Sequence, residues 1–244
     1  LLKIENTTLE LKGFKRIASI CTTVALHHKF FKKFKDYYPL FNDFVFKLEP
    51  NTQIPDLINN VIDRFGEVKD NASDSLFSIR RQINQVRGKI TQSFGSALNT
   101  YQASDYLDEI RESVVENRRV LAVKAMYRKK VKGAVMGTSK TGSIVYIEPE
   151  IALKYSRELN NLEFEEKEEV QRILKQLTGQ IRPFRALLRD YQEYLTQVDV
   201  IAAKAKYAED IDAILPKTNN NNRLYLRDAF HPLLFLNNKR KGEK

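Results

Sequence analysis

The sequence predicts a mainly α fold: a helical core, a long antiparallel coiled-coil pair of helices, and a small antiparallel β element carried at the tip of that pair. Three observations predict it. Apolar residues recur at steps of three and four over most of the chain, the spacing of one helix face. Glycine and proline are few, nine and seven among 244 residues, which favours long uninterrupted elements. Residues 112–149 break the helical spacing and alternate instead. A hydrophobic content of 42% beside 30% charged residues fits a globular chain.

The elements follow in order. Residues 9–35 carry Leu9, Phe14, Ile17, Ala18, Cys21, Val24, Ala25, His28 and Phe31 at helical spacing, and Tyr37, Tyr38 and Pro39 end that helix. Leu40–Leu48 reads as a buried helix or turn. Pro55 suits the first turn of a helix with Leu57, Ile58, Val61, Ile62 and Phe65 inward, closed by Gly66. A helix follows from Asp74 to about Leu98, with Ser73 as its N-cap. Its apolar positions Leu76, Ile79, Ile83, Val86 and Ile90 step by 3, 4, 3, 4, a coiled-coil seam rather than a broad face.

After a connection from Tyr101 to Arg111, Val114–Val115 and Val120–Ala125 read as a hairpin. Its turn, Glu116–Arg119, contains Asn117, a residue that tolerates positive φ. Val131, Gly133 and Val135 alternate as a third strand. A loop bracketed by Gly137 and Gly142 leads to a fourth, Ser143–Ile147. A helix from about Glu150 to Ala213 then carries a seam from Val170 to Ala205, with one extra step of four beside Gly179 and Pro183, where a kink is expected. Leu224–Leu234 reads as a strand and turn.

The charge is concentrated. Asn117–Ile147 contains Arg118, Arg119, Lys124, Arg128, Lys129, Lys130, Lys132 and Lys140 and no acidic residue, so it carries +8 of the formal net charge of +10. Segregated cations point to phosphate contact through counterion release, which gives affinity without base reading. Arg128, Lys129, Lys130 and Lys132 are the first candidates, then Arg118, Arg119 and Lys140, with Lys124 in the same set. Lys29–Lys35 interleaves lysine with phenylalanine; an amphipathic core helix with snorkelling lysines explains it as well as nucleic-acid or membrane contact does.

Other chemistry is thin. Glu163, Glu165, Glu166, Glu168 and Glu169 spread around a helix rather than converging on a metal. Cys21, His27 and His28 lack a second ligand pair with zinc spacing. No nucleophile, base and orienter set stands out. One cysteine excludes a disulfide framework within the chain and fits a reducing, cytoplasmic location. No apolar run approaches the ~20 residues of a membrane span.

Several segments share a family likeness: GEVKDNAS (Gly66–Ser73), LFSIRRQI (Leu76–Ile83), VLAVKAMYRKKVKGAV (Val120–Val135), SKTGSIVYIEP (Ser139–Pro149) and AFHPLL (Ala229–Leu234). Together they resemble the MutS family of DNA-repair ATPases, and within it the MutS-two branch, linked to suppression of recombination rather than mismatch correction. The resemblance implies a helical core at 1–72 and 206–244, a lever at 73–111 and 150–205, and a DNA-contacting clamp at 112–149. It further implies duplex or branched DNA as the partner and a homodimeric parent. The phosphate-loop pattern G-x-x-x-x-G-K-[ST] does not occur here, and the nearest match, Gly137–Ser143, lacks the lysine. The resemblance therefore places ATP, Mg and the Smr nuclease domain in other parts of a larger parent, and this chain is expected to be non-catalytic with no cofactor of its own. Phe65-Gly66-Glu67 matches the F-x-E pattern of mismatch-correcting relatives, but a helix end is the expected role here. Structured RNA or the ribosome would use the same cations as DNA. A coiled coil that only dimerises the parent, or a cryptic enzyme, are the remaining alternatives.

Overall fold

In the computed structural model, which describes residues 2, 7–227 and 229–242, the helices and the sheet fall into two units. One comprises residues up to Arg16 with Gln53–Pro183, the other Ile17–Thr52 with Phe184 onward. The fold is mainly α with one small antiparallel sheet, as the apolar spacing predicts.

In the first unit, α3 (Gln53–Val61) leads into a tight turn. Asp63 Oδ1 accepts the amide hydrogens of Phe65, Gly66 and Glu67, each at 2.9 Å. Gly66 sits there at φ +94°, a conformation glycine adopts without strain. The F-x-E match is thus a turn just beyond a helix, closed by an Ile62–Val68 bridge. A 3₁₀ turn, Asp70–Ala72, precedes α4 (Asp74–Ala103). Ser73 Oγ caps α4, accepting from Leu76 N at 3.0 Å.

Helix α4 pairs antiparallel with α5 (Glu150–Ile181). Cross-helix bonds set the direction: Ser73 to Glu169 at 2.6 Å, Arg80 to Glu166 at 2.7 Å, Arg87 to Glu163 at 3.1 Å. The seam holds. Leu76, Ile83 and Val86 are buried, with Ile79, Ile90, Tyr155 and Leu159 packed around Ile83, Val86 and Leu162. Helix α4 runs past Leu98 to Ala103 because Gly88 and Gly95 face open space and cost only propensity. At the other end of α5, Thr178 Oγ1 is buried, donates to Leu174 O and accepts Leu9 N at 3.0 Å.

Between α4 and α5 the chain makes four strands: β1 (Leu107–Val115), β2 (Arg118–Lys124), β3 (Gly133–Thr138) and β4 (Ile144–Pro149), in the order β1-β2-β4-β3, all antiparallel. Glu116 and Asn117, at φ +48° and +62°, form the two-residue hairpin turn. Strand β1 begins well before the expected Val114. A register shift between Leu107 and Glu112, with Arg111 at φ +61°, breaks its alternation and hides it from a period-two reading. Phe94 and Ala97 of α4 cover Leu107, Leu121, Val123, Val131, Val145 and Ile147 of the sheet region.

Helix α5 joins α6 (Arg185–Asp210) through a 3₁₀ turn, Arg182–Phe184. Pro183 has no N–H to continue the ladder, which is why the expected interruption falls there.

The second unit contains the larger part of α1 (Leu11–Lys33), α2 (Pro39–Val45), α6 and α7 (Pro232–Lys241). Tyr191 is its pin: the hydroxyl accepts from Asn51 N at 2.9 Å and donates to Glu49 O at 2.6 Å. Cys21 is buried, and burial pushes its thiol up to about 11. Two expectations change here. Leu40–Leu48 is helical at its start but only Val45 is buried in α2, with Leu40 93% exposed. Leu224–Leu234 forms no strand among the described residues; Pro232 starts α7, its φ preset for a first helical turn.

Candidate nucleic-acid interface

The basic residues emerge from a platform fixed by aromatic packing. After β2 the chain turns through a 3₁₀ segment, Ala125–Lys130. Tyr127 stacks on Tyr106 with ring centroids 4.8 Å apart, and Val131 is buried in the sheet core. With Tyr127 and Val131 packed down, Arg128, Lys129 and Lys130 are left between them. Lys129 and Lys130 are exposed and Arg128 half-buried.

Lys132 is held by its backbone. Its N–H donates to Tyr101 Oη at 3.2 Å and its carbonyl accepts from Glu150 N at 3.2 Å, while its side chain is exposed. The next residue must be glycine: a Cβ on Gly133 would lie 2.1 Å from Glu148 O. Lys140 projects from the β3–β4 loop, which Ser139 ties together by accepting from Ile144 N at 3.1 Å and from Gly142 N at 2.9 Å.

The eight sequence-predicted cations therefore separate. Arg118 Nη1 donates to Glu148 Oε2 at 2.9 Å; Glu148 is 1% exposed and also accepts from Ser156 Oγ of α5. Arg119 pairs with Glu112 and lies 4.3 Å from the centroid of Phe94. Lys124 Nζ binds Asp105 Oδ1 at 3.0 Å and Asp105 O at 3.2 Å. Arg128, Lys129, Lys130, Lys132 and Lys140 make no side-chain hydrogen bond or ion pair with any described residue. Met126, 78% exposed, stands beside them on the same turn.

Sequence reading missed the residues that seat this platform. Tyr101 and Tyr106 fell in what reads as a connection, and Glu148 in what reads as a strand end. The recurrence of tyrosine at 101, 106 and 127 was the available signal.

No family model matches the chain. Individual relatives do. Endonuclease MutS2 of Halothermothrix orenii is 32% identical over 200 residues, 82% of this chain and 25% of the relative. Endonuclease MutS2 of Clostridium acetobutylicum is 30% identical over 239 residues, 94% of this chain and 30% of the relative. That of Ligilactobacillus salivarius is 34% identical over 234 residues, 93% and 29%. The chain belongs to the MutS2 branch of the MutS family. It spans about a quarter to three tenths of the length of these MutS2 relatives. In this MutS2 segment, no group of three or more His, Cys, Asp or Glu side chains is placed to hold a metal among the described residues, and no described helix is long and apolar enough to cross a membrane.

Proposed function

We propose that the β element is a clamp that grips duplex or branched DNA by its phosphates, and that α4 and α5 are the lever carrying it. The observation that supports this reading is the unpaired state of Arg128, Lys129, Lys130 and Lys132 on a backbone held by Tyr101, Tyr127 and Val131, and of Lys140 on the loop that Ser139 ties. Five cations without an ion pair, four of them within Arg128–Lys132 and Lys140 at the far end of β3, favour contact with a polyanion. On this reading the cations meet phosphates, so recognition is by backbone and shape. Strands enter directly from α4 and leave directly into α5, so a shift along the coiled-coil seam would move the clamp as a body. On this reading the chain supplies no catalytic group. ATP, Mg and nuclease chemistry belong to other segments of a dimeric, cytoplasmic parent.

The test is binding of the chain to a four-way DNA junction across a salt series, beside a variant with Arg128, Lys129, Lys130 and Lys132 changed to Glu. With four or five phosphates neutralised, the log–log salt slope is about −4 and the variant loses roughly a thousand-fold in affinity. Equal binding by the variant overturns the assignment. Ribosomes competing far better than junction DNA would instead make structured RNA the partner.

A further inference from the structure

The basic and aromatic run at the end of α1 is left unused by the clamp. An amphipathic core helix would bury these rings; Phe31 and Phe34 are half-buried, but three others are exposed. Phe30 is 46% exposed, Tyr37 80% and Tyr38 44%. The rings brace one another: Phe30 lies 4.8 Å from Phe34 and 5.2 Å from Phe31, Phe31 stacks on Phe41 at 5.2 Å and 13°, and Tyr37 meets Phe34 edge-on at 6.2 Å. Phe30, which meets Phe31, Phe34 and Tyr38, is thereby placed with less rotamer freedom left to lose on binding. Lys29, Lys32, Lys33 and Lys35 are exposed and form no ion pair with a described residue. Lys33 Nζ sits 5.2 Å from the Phe34 ring. From Lys29 to Phe41 the one acid is Asp36.

We propose that this surface binds an unpaired DNA strand, with bases stacking on Phe30 and Tyr37 and phosphates held by Lys29, Lys32, Lys33 and Lys35. Exposed π-faces interleaved with cations are the groups that bind single strands without sequence preference. A duplex has its bases stacked on each other and offers these rings nothing. A protein partner is disfavoured because lysine is depleted at protein–protein interfaces, where burying four ammonium groups costs free energy. The choice of DNA over RNA rests on the family; the surface is independent of the clamp.

The test is fluorescence anisotropy of the chain with labelled oligo(dT) and oligo(rU), using Phe30→Ser with Tyr37→Ser, and separately the four-Glu clamp variant. The ring variant, folded by circular dichroism though somewhat less stable, weakens oligo(dT) binding about ten-fold or more. The clamp variant loses the junction but keeps oligo(dT). Unchanged oligo(dT) affinity in the ring variant overturns the proposal and leaves the clamp reading standing. So does oligo(rU) binding more tightly than oligo(dT), which assigns RNA. A ring variant that only dissociates self-associated chain in sedimentation marks a self-interface and also overturns it. Should the ring variant misfold, Lys29→Gln, Lys32→Gln and Lys33→Gln together keep the rings and must lower the oligo(dT) salt slope by about 2.

Discussion

The cations of β2 and those of the turn and loop beside it are the same residue types in one acid-free stretch, yet they meet different environments. Arg118, Arg119 and Lys124 each find a carboxylate, at Glu148, Glu112 and Asp105. All three acids lie outside Asn117–Ile147, and antiparallel pairing or the approach to β1 brings them alongside. Arg128, Lys129, Lys130, Lys132 and Lys140 form no ion pair with a described residue, even though Glu150 meets the Lys132 backbone. Charge density along a chain therefore overstates a binding surface wherever strands fold acids back onto it. The unpaired remainder is the better measure of what is offered to a partner.

The strongest test of that division is Arg118→Met. It leaves the Glu148 carboxylate, 2% exposed, with Ser156 as its remaining side-chain partner. An uncompensated buried charge costs about 2–3 kcal/mol where its partner was partly exposed, which for a chain of this size lowers Tm by roughly 5–10 °C. The folded variant still binds junction DNA within about two-fold, since the arginine is engaged internally. Arg118→Met with Glu148→Met recovers much of the loss, as apolar replacement of both partners does elsewhere. Unchanged Tm with lost DNA affinity would move Arg118 into the binding group.

A smaller effect separates two lysines. Lys140→Ala lowers the junction salt slope by about 0.9, one phosphate contact, at unchanged Tm. Lys124→Ala leaves the slope alone and costs at most about 1 kcal/mol, because its pair with the exposed Asp105 is a surface one. Equal slopes for both variants would mean that paired and unpaired lysines contribute alike to DNA binding.

The long elements were legible because their causes are local. The 3-4 seam of α4, the Ser73 cap, the Asn117 turn and the break at Pro183 each follow from residues a few positions apart. What stayed hidden depends on distant partners. The start of β1 is masked by its own bulge at Arg111. Helix α7 follows a segment whose apolar residues, Leu224, Tyr225 and Leu226, look like a strand yet pair with no other strand among the described residues. At the candidate site, residue types were readable and pairing was not: Glu148 is 30 positions from Arg118, and nothing in the local sequence links them.

The mildest prediction concerns an acid that is paired rather than a cation that is not, and it is read by pH instead of salt. Glu169 accepts from Arg172 at 2.7 Å through both oxygens and from Ser73 Oγ at 2.6 Å, and these bonds, Arg172 foremost, hold its carboxyl at about 2. Its folded value lies below the ordinary 4.5, so the stabilisation is fully present above about pH 4.5 and is lost as pH falls towards 2. Asp63 titrates in the same sense: the amides of Glu67, Phe65 and Gly66 hold it below the usual carboxylate range. Glu169→Gln should therefore flatten the acid limb of a Tm-against-pH curve between pH 5 and 2 without abolishing it, with Asp63 supplying part of the remaining slope. Because Ser73 both caps α4 and reaches across to α5, parallel curves for the two proteins would mean that this cross-helix contact adds nothing to the seam beyond the cap itself.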